Sequence, residues 1–268
     1  LLTHTSGFKA WVPFYLTPGP RSKIPKLIAG EILGGSINSK VVYSDLNFLL
    51  LGDLLERIYG ERLNIIAQRE IFLPLGLSST FFNPEKALKE LIAASEKGNG
   101  FERQTCLDLG YEITDPRVFR SDLIWGEVHD NNCFNLGGVS GHAGLFSTAD
   151  ETFKTALQFL PEYTEILEPE TCLLFQTNFT RGSDQARSLS FQLAETPDST
   201  AGKFLSKESF GHLGFTGTSL WIDPAKRRIF ILLTNRTHDR ALPFADLKET
   251  RREFHSISSS ILNENDRS

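Results

Sequence analysis

The chain has 268 residues, 40% of them apolar, and a formal net charge of −5 from 28 basic and 33 acidic side chains of mixed order. That length can bury a sizeable core as one large domain or two lobes, and without a basic patch a nucleic-acid partner is not expected. No apolar run approaches the roughly 18 residues of a membrane span, and Cys106, Cys133 and Cys172 are too scattered for a zinc knuckle or a disulfide framework, so they read as small buried apolar residues.

The sequence contains no Met and opens on Leu1-Leu2-Thr3, which reads as a processed chain or a fragment whose lack of a targeting signal says nothing about location. After a short apolar start closed by Thr5-Ser6-Gly7, residues 9–39 are rich in Pro, Gly, Ser and Lys and predict an irregular loop with one short helix near Ile24 to Leu33. Leu46, Leu49, Leu50, Leu54, Leu55 and Ile58 recur at helical spacing between Ser44 and Gly60, predicting an amphipathic helix capped by Ser44 and stopped by Gly60. Tyr43 and Ser44 then stand at its mouth. Further helices are predicted over Leu63 to Phe72 and Glu85 to Ala94, with the remainder up to Arg120 read as loop. Gly137, Gly138, Gly141 and Gly144 punctuate residues 128–147, and Ser147 is the predicted cap of a helix running to Leu160.

Residues 188–195 alternate like a strand and are expected to pair with a downstream hairpin. Its first arm, Phe210 to Pro224, holds Gly211, Gly214 and Gly217, more glycine than a strand tolerates unless backbone or ligand approaches closely. After a turn at residues 223–227, Arg228 to Asn235 is apolar enough to predict a strand buried on both faces, and the hairpin reads as one wall of a substrate cleft. Phe244, Leu247, Phe254, Ile257 and Ile261 make a single stripe, predicting a C-terminal helix laid over the sheet. The chain reads as a single domain with a helical lobe at about 40–187, a sheet lobe at about 188–262 and a cleft between them.

Four segments then fall in a telling order: Leu1-Leu2-Thr3-His4-Thr5-Ser6-Gly7, Tyr43-Ser44-Asp45 before an apolar helix, Gly141-His142-Ala143-Gly144-Leu145-Phe146-Ser147-Thr148-Ala149-Asp150, and His212-Leu213-Gly214. They resemble, in turn, the L-L-x-H-T-S-G, Y-x-N, G-L-x-S-T-x-x-D and K-T-G or H-x-G elements of the beta-lactamase superfamily of serine hydrolases, in the class C beta-lactamase and D,D-peptidase-like branch. The resemblance implies an α/β fold of the α+β type, with an antiparallel sheet flanked by helices and a mainly helical lobe. It also implies acyl-enzyme chemistry on an amide or ester (a beta-lactam, a D-Ala-type peptide or a small ester), with no cofactor, no metal, a small-molecule or peptide substrate and a periplasmic or other extracytoplasmic location. It leaves the oligomeric state open.

Carried over residue by residue, Tyr43 is the expected general acid/base, with Asp45 and His212 beside it. Phe215 is expected to offer its N–H to the oxyanion, and Gly214 and Thr216 to line the substrate's path. A tyrosine with a reference pKa of about 10 acts as a base near neutrality only beside cations, here expected to be the family's lysine and a protonated His212. Asp45 stands in place of asparagine and, when ionised, accepts but does not donate. His212 stands in place of lysine, which ties the local charge to pH around about 6.5.

S-x-x-K occurs only at Ser6-Gly7-Phe8-Lys9, overlapping a turn and placing glycine inside the would-be helix. The nucleophile is therefore expected upstream of Leu1, the chain alone to be inactive, and its sheet to expose an apolar edge. An inactive binding homologue or a truncated gene product is the alternative. Gly138-Val139-Ser140-Gly141-His142 misses the last glycine of G-x-S-x-G. His129-Asp130 with His142 lacks the company of a metal site and reads as a hydrogen-bonded loop near the cleft, which residues 127–132 are expected to line.

Overall fold

The computed structural model describes residues 1–17 and 19–265. Residues Leu46 and Leu49 on α2 (Asp45–Tyr59) turn one apolar face toward α1 (Ile24–Ala29), where they pack with Val12, Phe14, Ile28 and Leu136. The helix stops as expected at Gly60, whose φ of 69° few other residues adopt readily. Its start differs from expectation. The Ser44 side chain does not cap the helix; its Oγ donates to the Lys9 carbonyl (2.6 Å) and its N–H to His4 Nδ1 (3.0 Å), so the first ten residues pin the helix mouth.

The predicted second helix is α3 (Leu63–Ala67), continued by a π-helical segment over Gln68–Phe72. A 3-10 stretch, Lys86–Leu91, is what forms within residues 85–94. Three helices were not legible, α7 (Pro169–Leu174) and two earlier ones. In α4 (Gly100–Asp108) the buried positions are Glu102 and Cys106, so no apolar stripe announces it, and α5 (Asn131–Asn135) contains three asparagines and rests on its Asp130 cap, which accepts from the Cys133 N–H at 2.6 Å. Strands β1 (Phe81–Phe82) and β2 (Leu145–Phe146) pair antiparallel ahead of α6 (Ala149–Leu157), which is capped by Thr148 rather than Ser147, and α7 (Pro169–Leu174) follows.

Strands β3 (Gln192–Leu193), β4 (Phe210–Leu213), β5 (Ser219–Asp223) and β6 (Arg228–Leu232) lie in that order as one antiparallel sheet. Phe210 and Ile222, paired across β4 and β5, pack with Leu193, Ala156 and Leu160 on the face toward α6, while Trp221 and Phe230 pack with Ala201 on the other. Strand β6 contradicts the expectation of burial on both faces: it lies at the sheet's edge, ends at Leu232, and among its residues Phe230 alone is fully buried. The twice-buried run belongs instead to β5.

The C-terminal helix α8 (Lys248–Asn265) lies against β6, but not through the predicted stripe. Ile257 and Ile261 are 61% and 54% exposed, and the buried positions are Arg251, His255 and Ser259. The reason lies in the sheet's partner face: the His255 ring meets Trp221 and Phe230 edge-on at 6.5 and 6.2 Å and its Nε2 bonds Ser219 Oγ at 2.9 Å, so polar and aromatic contacts replace an apolar cover. Helices around an antiparallel sheet make this an α/β structure, and among the described residues no helix is long and apolar enough to cross a membrane.

Candidate active site

Tyr43 and His212, distant in sequence, come together: their rings are 5.7 Å apart, and the His4 ring lies tilted 4.6 Å from Tyr43. His4 accepts from Ser44 at Nδ1, which puts its proton on Nε2 and fixes the Leu1–Gly7 segment against the start of α2. Period two along β4 puts His212 on the face of Phe210, opposite Gly211, which lies against the Trp221 ring.

The charges differ from expectation. Burial first, then the Arg187 guanidinium, pushes His212 down to about 4, so at neutral pH it is an uncharged imidazole and not the cation expected beside Tyr43. His4 is pushed down to about 3 for the same two reasons. The cation is Arg187, with its Cζ 5.8 Å from the Tyr43 ring centre, its Nη2 on Gln185 and its Nε buried without a hydrogen-bond partner. Burial and the Asp45 carboxylate push Tyr43 up to about 12, with Arg187 pulling the other way. Tyr43 is thus a protonated phenol in this chain, although 42% of its surface is exposed.

Asp45 opens α2 and its carboxylate accepts no hydrogen bond among the described residues; burial pushes it up to about 6. It faces Asp130 and His142, and these three side chains place one ligand-type atom each within 4.8 Å of one another. His142 Nε2 donates to Asp130 Oδ1 (3.0 Å) and its Nδ1 meets Ser140 Oγ (2.8 Å), which makes the loop hydrogen-bonded as read from sequence. His129 does not join them: its Nε2 pairs with Glu96 (2.9 Å) and its ring stacks 5.2 Å from Phe215. The loop reaches α2 because both chains lack side chains where they touch, a β-carbon on Gly52 falling 3.0 Å from Gly141 N.

On the sheet side, the turn after β4 holds Gly214, Phe215 and Thr216. Among the described residues the Phe215 N–H donates no hydrogen bond, while the Phe215 and Thr216 carbonyls accept from Arg236. Arg251 Nη2 donates to the Gly214 and Thr218 carbonyls (2.8 and 2.9 Å), clamping both ends of the turn. The turn itself also leaves little room for a side chain at Gly214, where a β-carbon would overlap Thr218 Oγ1. A cavity of about 250 Å³ between Tyr15, Leu27 and Asn135 contains none of these residues.

A family model described as beta-lactamase matches residues 1–251. The chain belongs to the beta-lactamase family. It is 32% identical over 270 residues to a protein of Escherichia coli (strain K12) named D-alanyl-D-alanine carboxypeptidase, covering 96% of this chain and 60% of that one. It is 31% identical over 253 residues to the N-acetylmuramyl-L-alanine amidase of Bacillus subtilis (strain 168), covering 89% of this chain and 55% of the other. The chain thus spans less than two thirds of these relatives. Among solved structures, a penicillin-binding protein homologue from Caulobacter crescentus aligns with a TM-score of 0.64 at 14% identity over 97% of this chain and 69% of that one. EstCE1, a hydrolase with promiscuous acyltransferase activity, aligns at 0.65 and 19% over 95% and 70%. At such identities these show a shared fold.

Within this family of serine hydrolases, four contributors went unassigned in the sequence. Arg187 and Arg251 are single arginines in unremarkable surroundings, and no spacing rule points to either. Asp130 and His142 were in view as a pair, but the link to Asp45 spans α2, α5 and the glycine-rich loop, which only the fold joins.

Proposed function

We propose that the chain supplies the proton-transfer and oxyanion sides of a serine acyl-transfer site that hydrolyses an amide or ester, with a D-Ala-type peptide as first candidate and beta-lactams and small esters as others. The observation that carries this reading is the meeting of Tyr43 with His212, 5.7 Å apart, from two motifs in family order. Tyr43 is the general acid/base, Asp45 the anion that receives the ammonium of an S-x-x-K lysine, and the free Phe215 N–H an oxyanion donor beside Gly214 and Thr216. An ammonium next to Asp45 would offset the carboxylate that now raises Tyr43, bringing the phenol within reach of base catalysis.

The serine and lysine come, in this reading, from residues preceding Leu1. Ser6 and Lys9 do not fit the role: Ser6 Oγ donates to Asn47 Oδ1 (2.6 Å) while Lys9 Nζ pairs with Glu31 (2.9 Å), so the two are engaged with different partners. The relatives' names favour a cell-wall peptide and a periplasmic or other extracytoplasmic site. The division into lobes at about 40–187 and 188–262 is part of the same proposal. A fluorophosphonate or penicillin probe applied to the longer protein should label one serine in S-x-x-K upstream of residue 1. An unlabelled protein would remove the acyl-enzyme reading and favour a binding homologue.

A further inference from the structure

The helical wall carries more carboxylate than acyl transfer uses. Asp45 from α2, Asp130 from the cap of α5 and Glu102 from α4 surround one imidazole, with Arg120 and His129 acting on the cluster from the Asp130 side. Glu102, pushed up to about 8 by burial and then by Asp130, is protonated at neutral pH and adds no charge. Two carboxylates remain close together, and Asp45 accepts no hydrogen bond among the described residues. Buried like charges in this arrangement call for a positive group between them.

His142 is placed to be that group. Both of its ring nitrogens face oxygen, Nε2 to Asp130 Oδ1 and Nδ1 to Ser140 Oγ, as a doubly protonated ring requires. We infer that His142 is a positioning residue: an imidazolium held between Ser140 and Asp130 that keeps the Asp45 carboxylate ionised at the mouth of α2, beside Tyr43. What Asp45 then does rests on the acyl-transfer reading; the state of His142 does not. The electrostatics agree. Burial opposes the charged ring, but Asp130 first and then Asp45 hold His142 above its ordinary value. Asp130 is held below the usual carboxylate range against its burial by His142, and His142 also restrains the rise that burial imposes on Asp45.

The test is ¹⁵N-histidine NMR on this chain, which has six histidines, with His142 assigned from the signal lost in His142→Gln. Both His142 nitrogens are expected to be protonated at pH 7, with a midpoint that falls by about one pH unit or more in Asp45→Asn. The Asp45 carboxyl, followed by ¹³C, should titrate about one unit higher in His142→Gln. If that variant does not fold, Asp45→Asn and Ser140→Ala, each read at His142, carry the test. A neutral His142 at pH 7, or an Asp45 midpoint indifferent to loss of the imidazole, overturns the inference. So does saturable binding of micromolar Zn²⁺ that shifts the His142 signals, since the counter-charge would then be a metal. In the longer protein, His142→Gln should move the acid limb of serine acylation to higher pH. Absence of any labelled serine would strike the acyl-transfer reading and leave the NMR result standing.

Discussion

The two sides of the site solve the burial of charge in opposite ways. On the helical side, acids crowd a histidine, so Asp130 is held below and His142 above its ordinary value, while burial raises Asp45. On the sheet side, arginines crowd histidines, so His212 beside Arg187 and His255 beside Arg251 are held neutral. The same side chain is thus pushed toward its charged form in one wall and held neutral in the other. What differs is the sign of the neighbours, since burial disfavours the charged ring in both places.

Acid gives the largest expected effect on this contrast. His4, His212 and His255 have folded values of about 3, 4 and 4, below the unfolded value near 6.5. The unfolded chain therefore takes up protons that the folded one refuses, and stability present above pH 6.5 is lost as pH falls toward 4, by up to about 1.4 kcal/mol per pH unit for each ring. Asp45, raised to about 6, and Glu102, raised to about 8, have the opposite sign and offset a part of this. His142 shares that opposite sign: its contribution is full below about 6.5 and is lost as pH rises through its folded value. Urea midpoints measured from pH 4 to 9 should fall at the acid end, and midpoints that do not fall between pH 6 and 4 would contradict three histidines held neutral in the fold.

Next in size is Tyr43→Phe in the longer protein, where turnover should drop about a hundredfold or more, the low end for a positioned acid/base. Near-normal turnover would remove Tyr43 from the chemistry. Arg251→Met tests the sheet side structurally. It deletes a charged donor to two carbonyls and should lower unfolding free energy by about 2 kcal/mol while speeding hydrogen exchange at the Phe215 amide. The smallest effect is Arg187→Gln: loss of its charge should raise the midpoints of both His212 and Tyr43, by up to about one pH unit in NMR titrations. Midpoints that stay put would mean that burial alone sets them.

Much of the fold could be read from residue order. The period of α2, its Gly60 stop, the strands around Gly211 and the two motifs whose Tyr43 and His212 rings meet were all visible because each depends on local pattern or short motif. What escaped was set by partners elsewhere in the chain. The direction of α8 depends on a His255–Ser219 bond and on Trp221, so its apolar residues misled. Helix α4 buries a glutamate against Asn131, which no periodicity rule anticipates. His212 carried the right position but the wrong charge, because Arg187 arrives from a segment whose pattern says nothing about the site.

The contact between Gly52 and Gly141 has a consequence for how sequences of this kind can change. Neither residue touches substrate or proton, yet a methyl group on either would push the glycine-rich loop away from α2 and carry the His142 ring off Asp45. A β-carbon at Gly141 would meet the Phe48 carbonyl as well, so no rearrangement of side chains alone relieves it. The two glycines are therefore expected to tolerate substitution only together with a different counter-charge for Asp45.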